Sequence, residues 1–372
     1  MTSPRWLAAR ATALLATCAA LAAPAAPIVP THDAQVIERL PDVARAGTAA
    51  DAATAVREAR ALLDAGRRAG DPRLAGRALA RLSRWQADAR AAAELVLLLA
   101  NIEQYLHRFE QATTRLQALV ARDPAQAQAW LMLATLHRVQ GRYAESDVAC
   151  RAIMQLRAQP YGEACVAENL ALRGQFDAAR RQLQGLIAHA PDPGTRAWLW
   201  TTLAELEQRA GRAAASDQAW KKSLDTERDS YAAIAYADFL LDQQRPREAW
   251  VVLQPEQRSD AALLRLAIAA RRAVLPDAAA LDAELRERFA LADQRSGPSG
   301  HERERALMAL EIERDPGAAL RAARANVERQ REPLDLLLLA RCAQAAGDAS
   351  ALDEARALAR RIGLHDVRLA AI

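Results

Sequence analysis

The sequence predicts an all-α fold, a superhelical α-solenoid of antiparallel helix hairpins with about nine helix pairs, and three observations predict it. Good helix formers (Ala, Leu, Arg, Glu, Gln) dominate the chain, while the 15 Gly and 16 Pro sit mostly between periodic segments. Alternating Val/Ile/Thr runs of the kind that build strands are missing. The same residue types return at a spacing close to 34. A chain of 372 residues is too long for one compact core. A repeat array escapes that limit because each unit packs only on its neighbours.

At the N-terminus, Arg5 and Arg10 precede a short apolar run over residues 11–23, with small-residue sites at Ala20-Leu21-Ala22 and Ala23-Pro24-Ala25. This pattern predicts a secretory signal peptide over residues 1–23 and an exported, periplasmic protein. The run is shorter than the roughly 20 apolar residues a spanning helix needs. Leu15-Ala16-Thr17-Cys18 also resembles a lipoprotein processing box, with Thr17 where Gly, Ala or Ser is usual. Lipid anchoring through Cys18 is therefore the second reading. Residues 24–48, with four prolines, read as an extended segment with a short helix over 34–40. Residues 49–92 read as a degenerate helical hairpin broken at Gly70-Asp71-Pro72.

The repeat occupies residues 93–258 as five units beginning at Ala93, Ala127, Pro160, Ala197 and Ser230. Position 8 is then Ala100, Ala134, Ala167, Ala204 and Ala237, and position 20 is Ala112, Ser146, Ala179, Ser216 and Ala249. Small residues at both places let the two helices of a hairpin approach closely, and bulky residues at positions 4, 7, 17 and 24 fill the space between hairpins. Gly141, Gly174 and Gly211 share position 15, where the first helix must end and reverse. His107 and Gln244 replace that Gly in the first and fifth units, and Glu163 and Ala233 replace the large residue at position 4. The third unit overruns the period by three residues, through Pro191-Asp192-Pro193-Gly194-Thr195, which predicts a kink or bulged loop there. Residues 259–372 read as degenerate pairs: 260–274 with 277–292, 301–314 with 317–331, and 334–346 with 349–361, the first two separated by a polar linker at 295–300.

Ala129-Trp130-Leu131-Met132-Leu133-Ala134, followed by Gly141-Arg142-Tyr143-Ala144-Glu145-Ser146, resembles the tetratricopeptide repeat (TPR) of bacterial exported proteins. The resemblance implies a groove lined by the first helix of each unit, through positions 2, 5, 9, 12 and 13. Here those positions supply Asn101, Gln104 and Tyr105, then Thr135 and Arg138, then Tyr161 and Glu168. Trp198, Glu205 and Arg209 follow, and Tyr231, Asp238 and Asp242 close the row. Aromatic and polar side chains with both signs of charge suit a protein or peptide ligand. Of the Lys/Asn/Arg set that captures a C-terminal carboxylate in some relatives, only Asn101 is present.

Other functions find no residues to carry them. The 50 basic and 46 acidic side chains are interspersed, leaving +4 for the chain and about +2 once Arg5 and Arg10 are removed. That gives none of the clustered basic stripe nucleic-acid binding requires. The six histidines form no metal-ligand spacing, and no nucleophile elbow or phosphate-binding loop occurs. No cofactor is expected. Removal of Cys18 would leave Cys150, Cys165 and Cys342. Cys150 and Cys165, on consecutive helices, can pair as a disulfide or stay as two buried thiols, and Cys342 has no obvious mate. The expectation is a non-catalytic interaction scaffold or adaptor of the bacterial cell envelope. A lipid-anchored subunit of an envelope assembly or secretion complex is the alternative, with an enzyme or ligand carrier behind it.

Overall fold

The computed structural model describes residues 51–69, 71–88, 90–256, 258–296 and 301–372. The readings of residues 1–23 as a signal peptide, of Cys18 as a lipid site and of 24–48 as extended lie outside the described residues.

Nine antiparallel helix pairs follow one another among the described residues. The N-terminal pair is α1 (Ala52–Ala69) and α2 (Pro72–Arg81), followed by a single 3-10 turn (Ser83–Trp85). The five repeat units are α3 (Ala93–Tyr105) with α4 (Phe109–Arg122), α5 (Ala127–Val139) with α6 (Tyr143–Gln155), α7 (Tyr161–Leu172) with α8 (Phe176–Ala188), α9 (Pro193–Arg209) with α10 (Ala213–Thr226), and α11 (Ser230–Asp242) with α12 (Pro246–Leu253). Then come α13 (Asp260–Arg272) with α14 (Ala278–Ser296), and α15 (Glu302–Met308) running through a π-helical stretch (Ala309–Glu313) to α16 (Pro316–Arg329). The last pair is α17 (Pro333–Ala345) with α18 (Ala349–Ile362), and a short α19 (Val367–Ala371), which the periodicity does not announce, ends the chain.

The register is decided by burial. All ten small residues at positions 8 and 20 are 0% exposed, and so are the position-24 residues Leu116, Cys150, Leu183, Trp220 and Leu253. Where position 20 is Ser rather than Ala, its hydroxyl finds a partner in the same cleft: Ser216 Oγ donates to the Ala204 carbonyl at 2.9 Å, and Ser146 Oγ pairs with Asn169. A hydroxyl can stand in for a methyl at such a contact only when its hydrogen bond is made. These pairs, packed at close range on a 34-residue period, are an array of the TPR type.

Two expected irregularities are absorbed. His107 (φ 56°), Gln244 (φ 57°) and Val274 (φ 54°) adopt the same left-handed backbone as Gly141, Gly174 and Gly211, so the turn survives loss of its glycine. The three extra residues of the third unit do not bulge. Asp192 caps Thr195 N at 2.8 Å and Pro193 takes the first helical position, so the surplus becomes an additional turn at the start of α9.

The C-terminal pairs turn back onto the first units. Arg331 N donates to the Val139 carbonyl at 2.6 Å, and His365 N donates to the Leu172 carbonyl at 2.8 Å. Gln330 reaches the His107 ring, and Tyr143 and Leu172 belong to the same apolar cluster as Ala306, Leu320, Leu339 and Leu369. The segment after α16 thus lies over the turns of the first two units, and the segment after α18 lies over those of the second, third and fourth. The turn glycines make room for it. A methyl group on Gly174 would lie 2.9 Å from the His365 ring, and one on Gly211 would lie 2.8 Å from Val367. The superhelix closes along the edge formed by its own hairpin turns.

Candidate functional site

The first helices of successive pairs lie side by side and form the inner face, as α3 on α5, α5 on α7, α7 on α9 and α11 on α13. Most of the row that the resemblance assigns to ligand is engaged inside the array. Asn101 accepts from Arg67 Nη2 at 2.5 Å, one repeat period earlier in the chain, and Tyr105 donates to the Gly66 carbonyl at 3.2 Å. Thr135 donates to the Leu131 carbonyl and accepts from Arg138, which also pairs with Glu168 at 2.9 Å. Asp238 holds Arg265 through both carboxylate oxygens at 3.0 Å, and Asp242 pairs with Arg341 at 3.1 Å. Gln104 is half-buried. Arg209 is only 5% exposed, with Glu205 at 4.0 Å, and its buried Nε and Nη2 have no hydrogen-bond partner. The acidic residue at position 9 is repeatedly the partner of a neighbouring unit. Carboxylates held this way cost less to bury than unpaired ones.

An aromatic strip remains. Tyr231 is 60% exposed and Tyr161 is 39% exposed, and half-buried Trp198 lies between them in the chain with its ring centroid 5.8 Å from that of Tyr161. Trp198 packs against the core through part of its surface, so its ring is fixed rather than free. Tyr231 donates to Glu205 Oε1 at 2.6 Å. Burial pushes the Glu205 carboxyl up, and the neighbouring Glu205 charge holds the Tyr231 phenol well above its ordinary value. Tyr231 therefore presents a neutral ring with an anchored hydroxyl. Three aromatics on three consecutive first helices, α7, α9 and α11, share one face.

Cys150 and Cys165 are joined by a disulfide with Cα atoms 5.5 Å apart, tying α6 to α7. Cys342 is a buried free thiol, pushed up to about 12 by burial. No group of His, Cys, Asp and Glu suited to a metal ion occurs among the described residues. No described helix is long and apolar enough to cross a membrane.

The sequence missed the partners: Arg67, Arg265 and Arg341 complete the inner row from outside the assigned positions. The 34-residue offset between Arg67 and Asn101 was a visible signal; the link from Asp242 to Arg341 had none.

No family model matches the chain, and no curated protein matches its sequence. Among solved structures, it is similar to Pseudomonas aeruginosa PilF at 18% identity and a TM-score of 0.39, covering 55% of this chain and 94% of that one. A thermophilic TPR protein of Thermus thermophilus, TTC0263, aligns at 21% identity and a TM-score of 0.41, covering 51% and 98%. The human IFIT1 dimer with PPP-AAAA aligns at 15% identity and a TM-score of 0.43, covering 83% and 72%. Likeness at this level concerns the fold alone.

Proposed function

We propose that this chain is a non-catalytic scaffold that holds a protein or peptide on the inner face of its repeat array. The observation that carries this reading is the strip of Tyr161, Trp198 and Tyr231, which keeps aromatic surface exposed on a face where Arg138, Glu168, Asp238 and Asp242 are paired within the array. Anchored aromatics contribute large contact area with little ordering cost, which is why they dominate binding hot spots. The signal-like residues 1–23 support placing this activity outside the cytoplasm, in a bacterial periplasm. The Leu15–Cys18 box supports, as a second reading, the same scaffold held to the envelope by a lipid.

The test uses the mature chain as bait for envelope proteins, with the captured partner then measured by titration. Tyr161→Ala combined with Tyr231→Ala is expected to weaken that partner by at least about 2 kcal/mol. Both rings are largely outside the core, so the circular dichroism and thermal midpoint should hold. Full affinity in the folded double variant would move the site away from the strip.

A further inference from the structure

The aromatic strip has a second row beside it. Seven residues after Tyr161 stands Glu168 on α7, and seven after Trp198 stands Glu205 on α9. Seven residues are nearly two full helix turns, so each carboxylate shares a face with its aromatic, about 10 Å further along the helix. Tyr231 on α11 joins the two rows, since its ring belongs to the strip and its hydroxyl reaches Glu205 at 2.6 Å. The corresponding acid on α11, Asp238, is held by Arg265 through both oxygens and takes no part.

The charge this face presents is negative. Arg138 and Arg209, the cationic neighbours of Glu168 and Glu205, keep only 11% and 6% of their side-chain surface, whereas the carboxylates keep 24% and 26%. The arginines are recessed, and the acid is the open member of each pair. Arg209 comes no closer to Glu205 than 4.0 Å, and its buried Nε and Nη2 are out of a ligand's reach. Burial pushes the Glu205 carboxyl up even with Arg209 beside it, and the charges of Glu168 and Glu332 push it the same way. A cation arriving from solvent therefore meets three aromatic rings and two open carboxylates on one face. An extended chain points successive side chains to opposite sides. Laid across α7, α9 and α11 between the rows, it sends one set of side chains to the rings and the other to the carboxylates.

We propose that the partner presents an extended basic segment, with lysine or arginine side chains against Glu168 and Glu205 and apolar side chains against Tyr161, Trp198 and Tyr231. The inference rests on the strip being the protein-binding surface, and adds the charge of what it binds. Lysine and arginine suit both rows, because the charged head pairs with a carboxylate while the stem or guanidinium plane packs on a ring. An acidic segment faces like charge at both open carboxylates.

Fluorescence anisotropy with the whole chain tests it, using three labelled hexapeptides: lysine alternating with leucine, glutamate with leucine, and lysine with serine. An extended hexapeptide reaches about 20 Å, and two helix spacings of about 8–10 Å carry it from α7 to α11. The expected result is saturable binding of the lysine–leucine peptide, with the other two weaker by about tenfold or more. Glu168→Gln with Glu205→Gln is expected to cost that peptide about tenfold and to leave the glutamate–leucine peptide no weaker. Circular dichroism and thermal midpoint report whether the variant is folded, and the comparison of peptides on the unaltered chain needs no variant. Equal affinity for the two leucine peptides, lost for both in Tyr161→Ala with Tyr231→Ala, would overturn the charge assignment and leave the strip standing. Lysine–leucine binding at full strength in the folded tyrosine variant would remove the strip, and the proposal with it. Absence of saturable lysine–leucine binding, or spermidine binding as tightly as the peptide, would also overturn the proposal.

Discussion

Gly174→Ala is expected to destabilise the protein by about 2–4 kcal/mol, while Gly347→Ala costs only about 1–2 kcal/mol. Both glycines close a hairpin in the left-handed region, with φ of 80° and 66°, so both replacements carry the same backbone strain. They differ in what a methyl group meets. At Gly347 nothing lies within 4 Å, whereas at Gly174 three atoms of His365 stand at 2.9–3.1 Å. His365 is held there by its own backbone bond to Leu172, so the methyl group must push the C-terminal segment off the turn. Denaturant midpoints, with the slopes compared to check that cooperativity is kept, measure the difference. Equal costs at the two sites would mean that the closing contact is absent in solution.

Arg303→Ala is expected to cost about 3–5 kcal/mol, the largest effect of any single charge removal in the C-terminal pairs. Asp335 is 1% exposed and receives Arg303 Nε at 2.6 Å, Arg303 Nη2 at 2.9 Å, Asn326 Nδ2 at 2.6 Å and the Glu332 amide at 2.9 Å. Removing the guanidinium leaves a buried carboxylate with neutral donors and no counter-charge. The pair also joins α15 to the start of α17, so its loss loosens the seam between two hairpins. Arg324→Ala is the comparison: it breaks pairs with Glu354 and Asp348 that are largely exposed, and is expected to cost no more than about 1 kcal/mol. Thermal midpoints of the two variants, measured side by side, check the contrast. Similar shifts would show that the Asp335 site is hydrated and not buried.

The array was legible in the sequence because a repeat writes its packing rules several times over. Ala100, Ala134, Ala167, Ala204 and Ala237 align at one position, and their complete burial reflects a helix approach that admits nothing larger. The closure was not legible. It rests on backbone bonds from Arg331 to Val139 and from His365 to Leu172, and a main-chain donor imposes no side-chain pattern at either end. The turn glycines carried the one hint, but each has a sufficient local explanation as a helix cap, which hides its second role as clearance for Ile362, His365 and Val367. The inner row was legible as positions and not as surface. Asp238, Asp242 and Arg209 lie where the repeat geometry puts them, and the array's own arginines, together with burial, withdraw them from the open face. Tyr161 and Tyr231 stay exposed on that face.

Closure of the superhelix on its own turns is the central claim, and amide hydrogen exchange at Arg331 and His365 tests it most directly. Both residues lie in connections between helices, where an amide with no partner exchanges with the rapid rate of an open loop. Their partners here are the carbonyls of Val139 and Leu172, at the far ends of α5 and α7. The closed array predicts that both amides are protected to the same degree as helical amides of α17 and α18, and that Gly174→Ala removes the protection at His365 first. Exchange of both amides at the open-loop rate in the unaltered protein would contradict it.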